Sequence, residues 1–256
     1  MYKDTPEHQY VPTGIQALDD KILGLMQGHF TVIKAPTGIG KTEIMRFLEY
    51  NMLQREVPIA AWHLEETKLR SLLGLVSYQC SDNLTRRDLI EEKGAEDQVI
   101  KAIGDLTKDE NFYQFYLSDG QGADDLIDQI RYFAVACGVK FVFFEPIQDV
   151  LVGSSDESKE QMLADLSVRL SKLSAELNVG IVTIAHTNDD GQMKYCRMIG
   201  QRASVIIDLK RDKEADDLQE RNTTYLSIEK NRPCSEEGNA GMMRFNTDTF
   251  TLTEVL

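Results

Sequence analysis

The chain lacks the features that mark a membrane or secreted protein. None of its apolar runs approaches the roughly 18 consecutive residues needed to cross a bilayer. The first ten residues, MYKDTPEHQY, lack the basic start and the apolar stretch of a secretory signal. We therefore expect no membrane association and a cytoplasmic location.

Cysteine is scarce. Its four copies are far apart and irregularly spaced for a zinc site: Cys80, Cys137, Cys196 and Cys234. A cytosolic protein of this size rarely depends on disulfides. We expect buried free thiols.

Positive charge is also in short supply. The sequence has 28 Lys and Arg against 42 Asp and Glu, a formal net charge of −14. This balance excludes a protein that coats DNA through its whole surface. Any contact with nucleic acid must come from a local basic segment.

No linker, internal repeat or low-complexity tract divides the 256 residues, of which 42% are hydrophobic. We predict one α/β domain over residues 1–256, with residues 1–12 as an N-terminal extension.

Apolar runs alternate with helical patterns, which is typical of a mainly parallel sheet with crossover helices. Runs of β-branched and aromatic residues predict strands at Phe30–Lys34, Ile59–Leu64, Phe112–Leu117, Phe141–Glu145 and Ile181–Ala185. Three- and four-residue apolar spacing predicts helices at Thr42–Leu53, Thr67–Cys80, Ala95–Leu106, Asp124–Cys137 and Lys159–Leu177. Further strands are predicted at Val205–Leu209, Thr224–Glu229, Met242–Asn246 and Thr249–Thr253. Polar composition predicts mobile loops at Gly153–Lys159 and Lys210–Asn222.

The strongest chemical signal lies between the first predicted strand and helix. It reads Ala35, Pro36, Thr37, Gly38, Ile39, Gly40, Lys41 and Thr42, a P-loop with Ala in place of the first glycine. Gly38 and Gly40 let backbone N–H groups point at phosphates, and the following helix adds its positive end. The Lys41 ammonium can neutralise the oxygens of the β- and γ-phosphates, and the Thr42 hydroxyl can ligate Mg²⁺. The pattern predicts binding of ATP or another nucleoside triphosphate with Mg²⁺.

Two glutamates follow predicted strands, where a doubly wound sheet places its ligand site. Glu65 is the favoured base for an attacking water, with Glu66 as the alternative. Glu145 ends an apolar strand, as a Walker-B carboxylate that holds Mg²⁺ through water does. Either glutamate could instead be a solvated residue at a helix start, stabilised by the helix dipole.

Further short motifs follow one order along the chain: Thr13-Gly14-Ile15 with Leu18-Asp19, the P-loop, Leu64-Glu65-Glu66, the Walker-B strand, Ile184-Ala185-His186, Gln201-Arg202-Ala203-Ser204-Val205-Ile206, Lys230-Asn231-Arg232 and Gly241-Met242-Met243-Arg244-Phe245-Asn246. In order and spacing this series resembles the DnaB-like ring helicases, a group that includes phage primase-helicases and the mitochondrial Twinkle helicase. The resemblance implies a RecA-like P-loop NTPase. We expect a mainly parallel twisted sheet with helices on both faces and a C-terminal antiparallel extension.

The same resemblance implies an ATP-driven replicative DNA helicase that works as a homo-oligomeric, hexameric ring and moves 5′ to 3′ on single-stranded DNA. A primase or a loader protein would be a further partner, in a bacterial or phage-infected cell. His186 would be the sensor between γ-phosphate and DNA, assisted by Gln201. Lys194 and Arg197, in the loop 187–200, would hold the DNA backbone. Without the resemblance, His186 could be a core histidine, and Lys194 and Arg197 ordinary loop residues.

The resemblance also implies roles for four residues in the C-terminal part of the chain. Lys230 and Arg232 would reach into a neighbouring subunit's site, with the arginine as a finger on the γ-phosphate. Arg211 and Phe245 would flank the nucleotide base. On pattern alone, the two cations could be surface charges of a strand, and Phe245 could pack the last strand.

Two departures from the family pattern keep other functions open. The Walker-B position carries Glu145 where the family has Asp. The loop 187–200, which would hold DNA, contains the acidic residues Asp189 and Asp190. One alternative is a RecA-type recombination or repair ATPase that forms filaments. The other is a switch in which ATP binding controls assembly with a partner protein.

Overall fold

The protein is described by a computed structural model that covers residues 10–115, 122–151, 156–187 and 197–255. The described residues form a small two-stranded ribbon and a nine-stranded sheet. The ribbon pairs β1 Tyr10–Val11 with β2 Leu25–Met26. The strands of the large sheet are β3 Phe30–Ala35, β4 Ile59–His63, β5 Phe112–Gln114, β6 Phe141–Glu145, β7 Gly180–His186, β8 Val205–Lys210, β9 Thr223–Asn231, β10 Gly238–Asn246 and β11 Thr251–Glu254. Their order across the sheet is β11-β10-β9-β8-β3-β7-β6-β4-β5.

The helices connect these strands. They are α1 Gln16–Ile22, α2 Lys41–Gln54, α3 Lys68–Cys80, α4 Arg87–Lys93, α5 Glu96–Thr107, α6 Ala123–Ala136, α7 Asp156–Leu177, α8 Arg197–Arg202 and α9 Leu218–Arg221. Two 3₁₀ turns lie at Lys108–Glu110 and Ile147–Leu151. None of the helices in the described residues is long and apolar enough to cross a membrane.

Strands β3 to β8 of the described sheet run parallel, whereas β9, β10 and β11 pair antiparallel beyond β8. Alternate side chains of each central strand enter opposite layers, because side chains point to alternate faces of a sheet. In β6, Phe141 and Phe143 pack in the layer with α2, α3 and α5. Val142 and Phe144 pack in the layer with α6 and α7. The predicted fold class is therefore confirmed.

Several predicted boundaries are corrected. Helix α7 begins at Asp156, so the predicted loop Gly153–Lys159 ends earlier, and residues 153–155 lie outside the described part. The predicted loop Lys210–Asn222 contains the short helix α9, whose Asp217 side chain accepts from the backbone N–H of Glu220. A four-residue helix with a polar exterior leaves no apolar periodicity to detect.

The cysteines differ in burial from the prediction. Cys80, Cys137 and Cys234 are free thiols, as predicted, but each is half-buried rather than buried. Cys80 and Cys137 lie at helix ends, next to the surface. Cys196 lies outside the described residues.

Candidate active site

The predicted P-loop connects β3 to α2 at the carboxyl edge of the parallel strands. Gly38 and Gly40 have φ values of 79° and 92°, which favour glycine because a Cβ would crowd the backbone. Helix α2 starts at Lys41, directly after Gly40, and its Thr42 is half-buried in the first turn. The free N–H groups of a helix start attract anions. The loop therefore has the backbone shape and the charge that a polyphosphate requires.

Lys41, His186 and Glu65 come together at this edge. The Lys41 ammonium donates to His186 Nδ1 in a short contact. His186 Nε2 lies 3.7 Å from Glu65 Oε1. Burial lowers the pKa of Lys41, an effect opposed by the carboxylates of Glu65, Glu145 and Asp149. Burial and the neighbouring Lys41 lower the pKa of His186, so its ring is neutral at pH 7, accepts at Nδ1 and carries its proton on Nε2.

A cavity of about 320 Å³ opens beside these three residues. Its walls are Thr37, Glu65, Gln148, Asp149, Lys159, His186 and Thr187. Gln148 holds the end of β7, because its side chain donates to the His186 carbonyl and accepts from the His186 N–H. Our sequence reasoning missed Gln148 and Asp149, which follow the Walker-B strand by three and four residues. Their polarity directly after an apolar strand was the available signal.

Glu145, at the end of β6, is buried and bonded to a histidine. Its Oε1 lies 2.7 Å from His63 Nδ1, and His63 stands opposite Glu145 across the β4–β6 pair. His63 Nε2 lies 3.2 Å from Oε2 of Glu49, a fully buried residue of α2. Carboxylate oxygens only accept, so both ring nitrogens donate and the ring is an imidazolium. Although burial favours the neutral ring, Glu49 and Glu145 raise the pKa of His63 to about 10.

A second buried ion pair supports the segment that carries Glu65. Arg46 of α2, with 1% of its side chain exposed, donates Nη2 to Glu66 Oε2 at 2.6 Å. Its Nη1 makes a short contact with Glu43. The structure thus separates the two candidate bases. Glu66 forms an ion pair with Arg46, whereas Glu65 is half exposed and lines the cavity.

Arg211 and Phe245 both contact Asn222, and Arg211 lies beside the P-loop. Arg211 Nη2 donates to Asn222 Oδ1 at 3.0 Å, and the Phe245 N–H donates to the Asn222 carbonyl at 2.9 Å. A Cβ at Gly40 would lie 3.7 Å from Arg211 Nη1. Lys213, which the sequence reasoning missed, donates to the Thr37 carbonyl at 3.3 Å.

Lys230 and Arg232 lie at the opposite edge of the sheet from the P-loop. Lys230 pairs with Ile206 near the start of β8, and the Arg232 N–H donates to the Ser204 carbonyl. Across β8, Lys230 is level with Val32 and Arg232 with Phe30, which lie three and five residues before Ala35, or roughly 10 and 17 Å along β3. Lys230 Nζ donates to the Gly200 and Gln201 carbonyls, and Arg232 Nη2 donates to the Gln201 carbonyl at 2.6 Å.

Gln201 is not brought together with His186. It lies in α8, which precedes β8, and residues before a parallel strand lie at the edge opposite to residues that follow one. His186 pairs with Ala35 at the far end of the sheet. The expected assistance of His186 by Gln201 within one chain is therefore not what the structure has. The exposed Gln201 instead offers its carbonyl to Lys230 and Arg232.

The predicted DNA loop lies mostly beyond the described part of the chain. Lys194 is outside the described residues, as are Asp189 and Asp190. Arg197 is the first residue of α8. The DNA contacts of Lys194 and Arg197 stay predictions.

A family model and the similar proteins all concern DNA helicases. The model of the "DnaB-like helicase C terminal domain" family matches residues 10–251. A "Probable plasmid replicative DNA helicase" of Chlamydia trachomatis serovar L2 is 27% identical over 234 residues, or 88% of this chain and 48% of that protein. The "DNA helicase/primase" of Enterobacteria phage T3 is 23% identical over 255 residues, or 92% of this chain and 44% of that protein.

A solved structure gives the same fold. The ATPase domain of G40P superposes with a TM-score of 0.83 at 20% identity, covering 100% of this chain and 94% of that one. The chain spans about half the length of the curated relatives that it matches.

Proposed function

The chain belongs to the DnaB-like helicase C-terminal domain family, and from this we propose that it is the ATP-hydrolysing motor of a replicative DNA helicase. One observation carries the proposal beyond the family. Glu65 and His186 line one polar cavity at the P-loop, and Lys41 contacts His186, so a phosphate-binding cation, a sensor and a base lie at one place. That arrangement goes beyond nucleotide binding, because a binding site needs no base.

The residues fit ATP with Mg²⁺. The P-loop residues 35–42 would surround the phosphates, with Lys41 on the β- and γ-phosphates. Oxygen ligands suit Mg²⁺, which takes one or two carboxylates together with substrate phosphates. Thr42 and Glu145 would supply them, and the ion would neutralise charge on the phosphates. Arg211 and Phe245 would flank the base of ATP or of another nucleotide.

Glu65 would accept the proton of the attacking water, which Brønsted catalysis by a placed carboxylate accelerates by about 10²–10⁴. His186 lies between Lys41 and Glu65, and its neutral ring can exchange partners when a γ-phosphate draws Lys41 away. A change at the phosphate would therefore move the end of β7, from which the chain continues towards Lys194 and Arg197. This route supports the proposed sensor role of His186.

We propose that the motor works as a hexameric ring with shared active sites. Lys230 and Arg232 lie towards the start of β8, away from their own P-loop, which supports a role at a neighbour's nucleotide. In the single chain they hold the last carbonyls of α8, where cations are also favoured by the helix dipole. Acting in trans would require the arginine to release its carbonyl partner. Gln201 would then respond to the neighbour's nucleotide through that same carbonyl.

A mixing experiment tests the shared site. Arg232→Ala and Lys41→Ala should each be inactive, since a finger in trans contributes roughly 10³–10⁵ in turnover. Mixed rings would contain interfaces that pair an intact P-loop with an intact finger, so ATPase activity should partly return. Mixed rings that form, as seen by cross-linking, but stay inactive would refute the trans finger.

The helicase proposal itself is tested by ATPase assays with and without single-stranded DNA, by unwinding of a forked duplex, and by negative-stain images with an ATP analogue. DNA-stimulated turnover, 5′-to-3′ unwinding and rings are expected. Filaments with strand exchange would favour the recombination ATPase. Nucleotide binding with no DNA stimulation would favour the assembly switch.

Further assignments rest on the family and the relatives. We propose that residues 1–256 act as one domain, that Lys194 and Arg197 hold single-stranded DNA, and that the protein works in the cytoplasm of a bacterial or phage-infected cell. A primase or loader is a proposed partner, supported by the helicase/primase relative from phage T3.

A further inference from the structure

The Walker-B carboxylate of this chain, Glu145, is hydrogen-bonded to a buried histidine, His63. A carboxylate that binds Mg²⁺ does not need such a partner. Glu145 is one methylene longer than the aspartate usual at this position, so its carboxylate has one more rotatable bond to fix. His63 Nδ1 donates to its Oε1 at 2.7 Å, and the two side chains are each 3% exposed. Residue 63 is also the last residue of β4, two before the proposed base Glu65.

The histidine is itself held from the other side. Its Nε2 lies 3.1 and 3.2 Å from the two oxygens of Glu49, whose side chain is fully buried. Glu49 lies about two turns after Lys41 on the same helix. The ring is therefore fixed between the P-loop helix and the Walker-B strand.

A purely structural explanation accounts poorly for this arrangement. A histidine buried between two buried glutamates is costly to desolvate, and an apolar replacement of such a group is often as stable or more so. The cluster ends at Glu145, the residue proposed to hold the metal. Partners that orient metal ligands typically matter 10–100-fold for metal affinity.

We propose that His63, clamped by Glu49, is a positioning residue that orients the Glu145 carboxylate for the Mg²⁺ of the bound nucleotide and so permits a glutamate where an aspartate is usual. This rests on the proposed nucleotide site. His63 itself touches neither nucleotide nor metal. Its contribution is to remove the rotational freedom that the additional methylene introduces.

The test measures metal affinity, not turnover. Mn²⁺ is titrated into the full chain with a non-hydrolysable ATP analogue, and free Mn²⁺ is read from its electron paramagnetic resonance signal. His63→Asn places an amide donor where Nδ1 was, towards Glu145. His63→Gln places it where Nε2 was, towards Glu49. The two variants remove the same charge, so each is the matched control of the other.

We expect His63→Asn to bind Mn²⁺ within about threefold of the wild type and His63→Gln to bind it about 10–100-fold more weakly. In a Glu145→Asp background the same His63→Gln change should have little effect, because aspartate lacks the additional rotatable bond that His63 is proposed to fix. Equal losses in both backgrounds would show general disruption and overturn the proposal. Unchanged affinity in His63→Gln would overturn it as well.

A measurement on the wild type covers the case in which the variants do not fold. The ¹⁵N–¹H resonance of His63 Nδ1 should shift when Mg²⁺ is added to the analogue-bound chain, since Glu145 is then shared with the ion. A resonance that stays in place would refute the positioning role. Failure of the wild type to bind Mn²⁺ with the analogue would instead refute the proposed nucleotide site.

Discussion

Gly74 gives Arg46 the space to lie buried between α2 and α3. A Cβ built at Gly74 would lie 2.1 Å from Arg46 Nε, 2.5 Å from its Cζ and 2.6 Å from its Cδ. Real Cβ atoms do not approach other atoms so closely, and Arg46 is held by Glu43 and Glu66. Gly74→Ala should therefore force Arg46 out of its place or push α3 away from α2.

Two opposing effects set the magnitude. Overpacking a close-packed site costs about 1–3 kcal/mol of unfolding free energy. Replacing a helical glycine by alanine stabilises by about 1 kcal/mol. Gly104 in α5 isolates the second effect, because nothing lies within 4 Å of a Cβ there. Gly104→Ala should be stabilising by about 1 kcal/mol, and Gly74→Ala should be less stable than Gly104→Ala by about 1–3 kcal/mol.

A double-mutant cycle in urea isolates the contact. Arg46→Ala alone should cost about 3–5 kcal/mol, because it leaves the half-buried Glu43 and Glu66 without the cation that they share. In that background Gly74→Ala should become neutral or stabilising, since the obstructing guanidinium is gone. A Gly74→Ala protein as stable as Gly104→Ala, or a penalty that persists without Arg46, would refute the reasoning. Thermal melts should rank the variants in the same order, with a shift in Tm of about 2–4 °C for each kcal/mol of unfolding free energy.

Three further predictions concern activity. Lys41→Ala should abolish ATP hydrolysis, because it removes the point charge on the β- and γ-phosphates, and near-wild-type turnover in a coupled assay would contradict the P-loop assignment. Glu65→Gln should bind ATP but not hydrolyse it, whereas Glu66→Gln should lose stability through Arg46; the reverse result would make Glu66 the base. Lys194→Ala with Arg197→Ala should flatten the salt dependence of single-stranded DNA binding by a slope of about 0.7 for each lost phosphate contact, and an unchanged slope would exclude both residues.

The parallel core was predictable because its strands are short apolar runs buried on both faces. Strand β6 has the predicted bounds, β3 and β4 differ from the prediction by one residue at one end, and β7 is one residue longer at each end. The P-loop was equally readable, since its glycines and lysine have few other uses in that spacing. Local sequence determines both features.

The supporting residues could not be predicted in the same way. Glu49 follows Lys41 by eight residues on a helix with other charges, where a glutamate is usually solvated. It is buried because the end of β4 presents His63 to it, and that approach is a property of the sheet order. His63 is the one charged or strongly polar residue of β4 and belongs to none of the motifs in the sequence. Pairing two such residues requires the tertiary structure.

The same limit applies to Gln201. Its place in the order of motifs suggested proximity to His186, yet it precedes β8 whereas His186 ends β7. Sequence order does not say at which edge of the sheet a connecting helix ends. Strand direction decides it.

Helix α2 links the phosphate loop to both candidate carboxylates. Arg46 and Glu49 are three residues apart, so they share one face of the helix. Arg46 bonds Glu66, the neighbour of Glu65, and Glu49 bonds His63, which bonds Glu145. Because α2 starts at Lys41, a displacement of its first turn by bound phosphate would act through these two clusters on the segments that hold the base and the Walker-B carboxylate. A P-loop resting on apolar contacts alone offers no such chain of polar contacts.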